Sequence, residues 1–341
     1  MDSLTQIVLG ASVAAAVVPA GHRRKAMATG AVLGTLPDLD GIPLALMGAD
    51  AVTSVTWHRG PSHSLPVLLA VGWLIWLLLR KYWSPVREAP RPWLRAVWLA
   101  LLTHPLLDAF TVYGTQLLWP WPSRPVMWSS IFIIDLGYTL PLIIGCIGAL
   151  FLGARAGGAR FITFGLALSS VYLGWSLVAK LIVDRAAESA LAAQGLSDAE
   201  RFSVPMPLNT LLWRVVVMTP DGQFLEGYRS LWADSGPMKF TPRPSEALAF
   251  NAVRPQPGVQ RLLWFTSGFM KASVVDNTIV LSDLRMGAEP SYTFNYRVAR
   301  RDAQGQWHAI TPELVAQPRN AGRQLSQTWD RLVNGPTTAM P

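Results

Sequence analysis

The chain has 341 residues, of which 51% are hydrophobic and 15% are charged, and its mean hydropathy is +0.29. An average soluble domain has about 25% charged residues, so this composition argues against an ordinary cytosolic enzyme. Its 15 tryptophans and 12 phenylalanines exclude a disordered chain, because they provide ample apolar surface to bury. The one cysteine, Cys146, excludes an intramolecular disulfide.

Six apolar runs occupy the first half of the chain, and each is close to the roughly 20 residues that cross a bilayer as a helix. The predicted spans are residues 4–20, 26–47, 64–79, 94–112, 131–152 and 161–183. Asp2 is the only charged side chain before the first run, so we interpret this run as a retained helix and not as a signal peptide.

The loops between these runs have an uneven distribution of Lys and Arg. One alternating set of loops carries ten basic residues, whereas the opposite set, residues 48–63 and 113–130, carries only Arg59 and Arg124. Basic residues are retained on the cytoplasmic side of a membrane. The N-terminus, the second set of loops and the C-terminus are therefore predicted to lie outside the cytoplasm.

From Asp184 onward the composition changes to 16 basic and 14 acidic residues with many prolines. Residues 211–219 and 223–232 flank Pro-Asp-Gly, which predicts a strand, a tight turn and a second strand. Residues 277–285 and 291–300 are further predicted strands, and residues 260–270 a short helix. The predicted fold is an α-helical polytopic membrane domain, residues 1–183, followed by a smaller α+β extracytoplasmic domain, residues 184–341.

Ionisable side chains interrupt the predicted membrane half, where each costs several kcal/mol unless it faces a cavity or a partner. All of them map to the outer half of the predicted topology, although the topology was derived from loop charge alone. They are Asp2, Asp38, Asp40, His58, Arg59, His63, His104, Asp108, Arg124 and Asp135. We interpret this coincidence as a single site.

The spacing of these residues suits a metal ion. His104 and Asp108 are four residues apart, so a helix would place them on the same face. Asp38 and Asp40 lie between a proline and a glycine, which predicts a broken segment with both carboxylates on one side. A loop containing Gly60-Pro61 would fold His58 and His63 inward. Such a nitrogen and oxygen donor set suits zinc, with manganese or iron as alternatives, and a metal so placed favours hydrolysis.

Each residue receives a predicted role. The predicted metal ligands are Asp38, Asp40, His58, His63, His104 and Asp108, with Asp40 alternatively the base that orients water. Arg59 and Arg124 would bind an anionic headgroup, or they would only anchor the protein at the membrane surface. Asp2 and Asp135 would support the site or cap helices. The other residues predicted to support the ligands or contact substrate are Gln6, Thr111, Tyr113 and Gln116.

At these residues the sequence resembles the YdjM-like family of inner-membrane proteins with a predicted metal-dependent hydrolase activity. The resemblance rests on MDSLT at 1–5, LPDLD at 36–40, HRGPSHS at 58–64, HPLLD at 104–108, FTVYGTQ at 110–116 and IFIID at 131–135. It implies a metal-site role for the six predicted ligands and a bacterial inner-membrane location. The His-x-x-x-Asp pair is also similar to that of zinc-dependent phospholipases C, which implies phosphoester chemistry. Many family members have a histidine where this chain has Gln6.

The leading hypothesis is therefore a membrane-bound metal-dependent hydrolase that acts on an ester or phosphoester of a lipid or lipid-linked substrate at the outer leaflet. One alternative is a cation transporter that uses the same side chains as a transit site. Another is a non-catalytic membrane protein that a metal stabilises. Nucleic acid is not an expected partner, because the basic residues that explain the net charge lie in the predicted cytoplasmic loops.

Overall fold

The computed structural model describes residues 1–316 and 321–335. The first half of the chain is helical, and three 3₁₀ turns connect helices there: Ala20–His22, Leu36–Asp40 and Pro61–His63. The helices are α1 Ser3–Val17, α2 Arg23–Thr35, α3 Gly41–Leu46, α4 Ala51–Trp57, α5 Leu65–Tyr82, α6 Ser84–Glu88, α7 Pro90–Ala109, α8 Leu136–Leu152 and α9 Ala156–Ala192.

The second half contains two four-stranded antiparallel sheets and three helices. The sheet orders are β1-β2-β3-β4 and β10-β9-β6-β5, and β7 pairs with β8. The elements are β1 Arg201–Pro205, β2 Leu212–Met218, β3 Phe224–Ser230, β4 Phe240–Arg243, α10 Ala247–Val253, α11 Pro257–Thr266, β5 Met270–Val275, β6 Thr278–Asp283, β7 Gly287–Ala288, β8 Ser291–Tyr292, β9 Asn295–Arg301, β10 Trp307–Leu314 and α12 Ala321–Asn334.

The predicted hairpin around Pro-Asp-Gly is confirmed, since β2 and β3 pair antiparallel across it. The predicted strands at 277–285 and 291–300 correspond to β6 and β9, with the short β8 preceding β9. The predicted short helix is α11, which begins earlier than expected because Pro257 suits the first turn. It ends at Thr266 because Ser267 adopts the left-handed region, with φ of 55°.

The described chain divides into two compact units. The first comprises Met1–Leu44, Trp57–Trp128 and Ile133–Ser176, and the second comprises Ala45–Thr56, Ser129–Phe132 and the chain from Leu177 onward. The long helix α9 therefore contributes to both.

Close glycine contacts hold the helices of the first unit together. Gly10 of α1 faces Gly30 of α2, and a Cβ on either would overlap the carbonyl oxygen of the other. A Cβ on Gly34 would lie 2.5 Å from the Gln6 carbonyl oxygen. Small residues at such crossings allow backbones to approach closely, which is how helices gain packing energy within lipid. The pairing of α1 with α2 brings Gln6 and Gly34 to the level of the polar residues described below.

Two helices of the described residues, α5 and α9, are long and apolar enough to cross a membrane, and α1 and α8 are shorter apolar helices. Apolar side chains on both long helices are exposed, among them Leu74, Leu78, Phe164 and Val171. The second predicted run is not one helix, because α2 ends at Thr35 and Leu36–Asp40 forms a 3₁₀ turn. The fifth begins at Leu136, where the Asp135 carboxylate accepts a hydrogen bond from the Tyr138 amide.

The second unit has two apolar cores, one for each sheet. The C-terminal part of α9 buries Val183, Ala187 and Leu191 against Trp213 and Val215 of β2. Their spacing of about four residues is that of one helical face. On the second sheet, α10 and α11 cover the face that carries Ala272, Ile279, Leu281 and Tyr296.

Candidate metal centre

Four of the six predicted ligands converge in the first unit: Asp38, His63, His104 and Asp108. Asp38 lies in the 3₁₀ turn that follows α2, and His63 ends the 3₁₀ turn Pro61–His63. His104 and Asp108 project from the same face of α7, as their spacing predicts. Pro37 and Pro61 lie at the start of these two segments, because a ring that holds φ near −65° suits the first turn of a helix.

Five of the six distances among the four ligand atoms lie between 3.1 and 3.5 Å. His63 Nε2 is 3.1 Å from His104 Nε2, 3.2 Å from Asp108 Oδ2 and 3.3 Å from Asp38 Oδ1. His104 Nε2 is 3.4 Å from Asp38 Oδ1 and 3.5 Å from Asp108 Oδ2. All four lie within 4.8 Å of one another.

The cluster is buried on three sides and open at one. The side chains of His63, His104 and Asp108 have no exposed surface, whereas that of Asp38 is 25% exposed. Access is therefore from the side of the 3₁₀ turn Leu36–Asp40.

Hydrogen bonds at the far ring nitrogens determine the tautomer of each histidine. His104 Nδ1 lies 2.6 Å from the Gly34 carbonyl oxygen, which can only accept, so Nδ1 carries the proton. Ser62 Oγ donates to Asp40 Oδ2 at 2.6 Å and therefore accepts from His63 Nδ1 at 2.9 Å. Both Nε2 atoms consequently present lone pairs to the centre of the cluster.

Two imidazole lone pairs and two carboxylate oxygens thus face one another. Within the described residues, Asp108 Oδ2 is buried and accepts no hydrogen bond, although the Arg59 side chain forms an ion pair with it. Buried oxygen atoms in proteins almost always have a hydrogen-bond partner. In a tetrahedral site with metal–ligand bonds of about 2.0 to 2.1 Å, ligand atoms lie about 3.3 to 3.4 Å apart. Five of the six separations are close to this spacing, so the four residues fit a small divalent cation.

Donor groups contact both oxygens of Asp108. Its Oδ1 accepts a hydrogen bond from Gln6 Nε2 at 3.1 Å and contacts the Met1 amino group. Arg59 Nε lies 3.1 Å from Asp108 Oδ2. Gln6 is therefore a donor that orients a carboxylate.

Asp40 and His58 lie beside the four-residue cluster and contact each other. His58 Nδ1 donates to Asp40 Oδ1 at 2.7 Å, and Asp40 Oδ2 accepts from Ser62 and from the Arg59 amide. The His58 side chain is 30% exposed, and its ring packs edge-on against His63 and Tyr113. The pair is a hydrogen-bonded His–Asp dyad at the edge of the site.

The other predicted residues occupy different positions. Thr111, Tyr113 and Gln116 are buried around Arg59. Thr111 Oγ1 accepts a hydrogen bond from Arg59 Nη1, and the Tyr113 ring centre lies 4.8 Å from the Arg59 guanidinium carbon. The backbone amide of Gln116 donates to the Arg59 carbonyl oxygen. Asp2 and Asp135 cap α1 and α8. Arg124 is exposed in the loop after α7, and within the described residues it makes no ion pair with the cluster.

Two contributors were missed by sequence reasoning. Ser62 links Asp40 to His63, and its position inside the segment HRGPSHS was a signal that could have identified it. The Gly34 carbonyl orients His104, but a backbone oxygen has no signature in sequence. Only the packing of α2 against α7 reveals it.

Comparison with known proteins identifies one family that matches this chain. Residues 1–183 match the model of the YdjM inner membrane protein family. A curated relative is the uncharacterized protein YfhP of Bacillus subtilis (strain 168), which is 27% identical over 239 residues, or 67% of this chain and 69% of YfhP. No solved structure matches.

Proposed function

Because the chain belongs to the YdjM inner membrane protein family, we propose that its buried His–Asp cluster serves a membrane-bound metal-dependent hydrolase. The observation that carries this proposal is the convergence of four acceptor atoms with no donor among them. Like partial charges at 3.1 to 3.5 Å repel one another, and a divalent cation would reverse that repulsion.

The residues that would hold the ion are Asp38, His63, His104 and Asp108. A divalent ion, zinc by this donor set with manganese and iron as alternatives, would supply a Lewis acid that polarises an ester or phosphoryl oxygen and lowers the pKa of water. Gly34 and Ser62 would hold the two imidazoles in the orientation that this role requires.

The His58–Asp40 dyad would move the proton. Asp40 accepts a hydrogen bond from Nδ1 of His58, and Nε2 of this partly exposed side chain would take a proton from water. Once protonated, the same nitrogen would donate to the leaving oxygen. This proposal gives His58 and Asp40 an acid–base role in place of the metal-ligand role predicted from the sequence.

We propose a lipid or lipid-linked ester or phosphoester as the substrate. Leu39, between the two aspartates of the turn, is 50% exposed, and Ile42 and Trp57 are exposed in the same unit. Apolar side chains at the open side of a polar site suit an acyl chain. Arg59 beside Asp108, and Arg124 from its exposed loop, would contact the anionic headgroup.

The proposed site lies on the extracytoplasmic side of the bacterial inner membrane. The six apolar runs support six crossings, and the loop-charge distribution supports this orientation, with the domain boundary near Asp184 and the second domain outside.

The test is to purify the protein in detergent, measure bound metal, and assay hydrolysis of phospholipid and of a generic phosphodiester. We expect about one metal per site and turnover that stops after chelation. His104→Ala should abolish both metal binding and turnover. His308→Ala, which removes a 66% exposed histidine of the second unit, should change neither. Metal without turnover would instead support a structural role, and metal flux into liposomes would support a transporter.

A further inference from the structure

The second sheet has a polar face opposite the face that α10 and α11 cover. This face forms a concavity of about 600 Å³, which we term the basic concavity. Lys271 of β5 and Arg297 and Arg300 of β9 line it together with the hydroxyl groups of Ser273 and Thr278. None of these residues belongs to the metal centre.

The strand register aligns these side chains in rows across three strands. Lys271, Ser282 and Asn295 form one row. The next row is Ser273, Val280 and Arg297, and the third is Val275, Thr278 and Arg300. Strands lie about 4.8 Å apart, and residues two apart on a strand about 6.6 Å apart. The three cations are thus arranged around an area of the size of a small ligand.

A β-bulge places the two arginines on the same face. Residues 297 and 300 are three apart, so a regular strand would direct their side chains to opposite faces. The register between β6 and β9 shifts between Ile279 and Val280, and the extra residue restores Arg300 to the face of Arg297. Val298 and Ala299 are both buried against the helices as a result.

The donors of this face are only partly used. Lys271 Nζ bonds both oxygens of Glu289 at 2.7 Å, and Arg297 Nη1 bonds Glu313 at 3.2 Å. Arg297 Nε is buried and has no hydrogen-bond partner among the residues that the structure describes. Arg300 is exposed and, within the described residues, has no ion-pair partner, and the Ser273 hydroxyl likewise makes no side-chain hydrogen bond there.

We propose that the basic concavity binds a phosphate group, with Arg300, the 34% exposed Arg297 guanidinium group and the Ser273 hydroxyl as donors. A phosphate group offers several acceptor oxygens and up to two negative charges, which suits two guanidinium groups and a hydroxyl better than a single carboxylate does. Asp276 at the rim would disfavour more extended anions. The phosphate would come either from a free small molecule or from a lipid headgroup.

The test measures binding of inorganic phosphate and glycerol 3-phosphate to the full chain by calorimetry, after a chelator has removed any metal. Loss of a charged hydrogen bond should weaken binding about 10- to 100-fold in Arg300→Gln. Ser273→Ala should weaken it less, and neither variant should shift thermal unfolding. The matched control is Arg301→Gln, because Arg301 is the next residue of β9 and stacks on Trp307.

A second arm separates the two sources of phosphate. The binding of added phosphate is compared in phosphatidylglycerol and phosphatidylcholine nanodiscs. If the site binds a lipid headgroup, added phosphate should bind more weakly in phosphatidylglycerol nanodiscs. If the site binds a free ligand, the binding should be equal in both. The proposal is overturned if the unaltered chain binds no phosphate at millimolar concentration, or if Arg300→Gln binds it as well as Arg301→Gln does. Because the metal is absent, these results are independent of the hydrolase proposal.

Discussion

Ser62 is the residue through which Asp40 controls the orientation of His63. Its hydroxyl donates to Asp40 and accepts from His63 Nδ1, so the imidazole ring is held with Nε2 toward the cluster. His104 obtains the same control from the Gly34 carbonyl. Outer hydrogen bonds of this kind raise the basicity of a ligand and prevent ring rotation.

Ser62→Ala should therefore weaken metal binding about 10- to 100-fold, because His63 loses the acceptor that holds its tautomer. The measurement is a zinc competition titration in detergent. Ser123→Ala, at an exposed position in the loop after α7, is the control and should leave the affinity unchanged. Equal affinity in both variants would mean that Ser62 does not support the site.

His58→Gln should separate proton transfer from metal binding. We expect turnover to fall about 10²- to 10⁴-fold, the range for loss of a general acid–base group, while the metal content stays that of the unaltered protein. Metal analysis and a hydrolysis assay on the same sample measure the two effects. If the metal is lost together with turnover, His58 is a ligand, as the sequence alone predicted.

At the scale of elements, the crossing of α1 with α2 positions two supports of the site. Gln6 on α1 donates to Asp108, and Gly34 on α2 accepts from His104. The contact between Gly10 and Gly30 sets the distance between these helices. Helix packing and the geometry of the candidate metal centre therefore both depend on the close approach of α1 and α2.

Gly30→Ala should destabilise the protein by about 1 to 3 kcal/mol, because the added methyl overlaps the backbone of α1. Metal affinity should fall with it, since α2 carries Gly34. The control is Gly174→Ala in α9, where a Cβ meets no atom of the described residues within 4 Å. Thermal unfolding in detergent compares the two variants. Equal midpoints for Gly30→Ala and Gly174→Ala would show that α1 and α2 are not closely packed.

A bidentate ion pair holds helix α12 to the rest of the second unit. Arg331 Nη1 and Nη2 bond Asp234 Oδ1 and Oδ2 at 2.9 and 2.6 Å, and Ser230 Oγ donates to the Leu332 carbonyl. Burial alone would raise the pKa of the Asp234 carboxyl, but the hydrogen bonds and charge of Arg331 and the Ser230 amide outweigh it and lower the pKa below its ordinary value.

A carboxyl with a lowered pKa stabilises the fold above its unfolded pKa of about 3.9, and this contribution disappears as the pH falls through the folded pKa. Asp234→Asn should lower the thermal midpoint by about 2 to 4 °C at pH 7, equivalent to about 1 kcal/mol for a solvent-screened pair. The difference in thermal midpoint between the unaltered protein and Asp234→Asn should disappear below about pH 4. A difference in thermal midpoint that stays constant with pH would show that Asp234 acts by packing alone.

For the whole molecule, the family and the two long apolar helices place the chain in association with a membrane. The number of crossings is a proposal based on the apolar runs, and their sidedness is a proposal based on loop charge. They predict that the loop around Arg87 is cytoplasmic and the loop around Gln304 is outside, and both residues are exposed.

Single cysteines test that topology in a Cys146→Ala background. A membrane-impermeant maleimide should label Gln304→Cys in cells whose outer membrane is permeabilised, and should label Arg87→Cys only after the inner membrane is opened. Label on both positions, or on Arg87→Cys alone, in intact inner membranes would contradict the proposed orientation.

Local pattern alone was enough for several features of this chain. Apolar runs of helical length, the strand–turn–strand around Pro-Asp-Gly and the spacing of His104 and Asp108 each depend on neighbours in sequence, so local rules predicted them. The family resemblance also followed from short motifs in order, and it is confirmed over residues 1–183.

Only the folded chain could decide which of six candidate residues share a cluster and which form a separate pair. His63 and Asp38 reach His104 across 41 and 66 positions of sequence, while His58 turns to Asp40 at the edge. Such distances follow from how α2, α7 and their turns pack. The spacing of residues along the sequence contains no information about that packing. The bulge that brings Arg300 beside Arg297 likewise arises from pairing between strands, which a single strand cannot reveal.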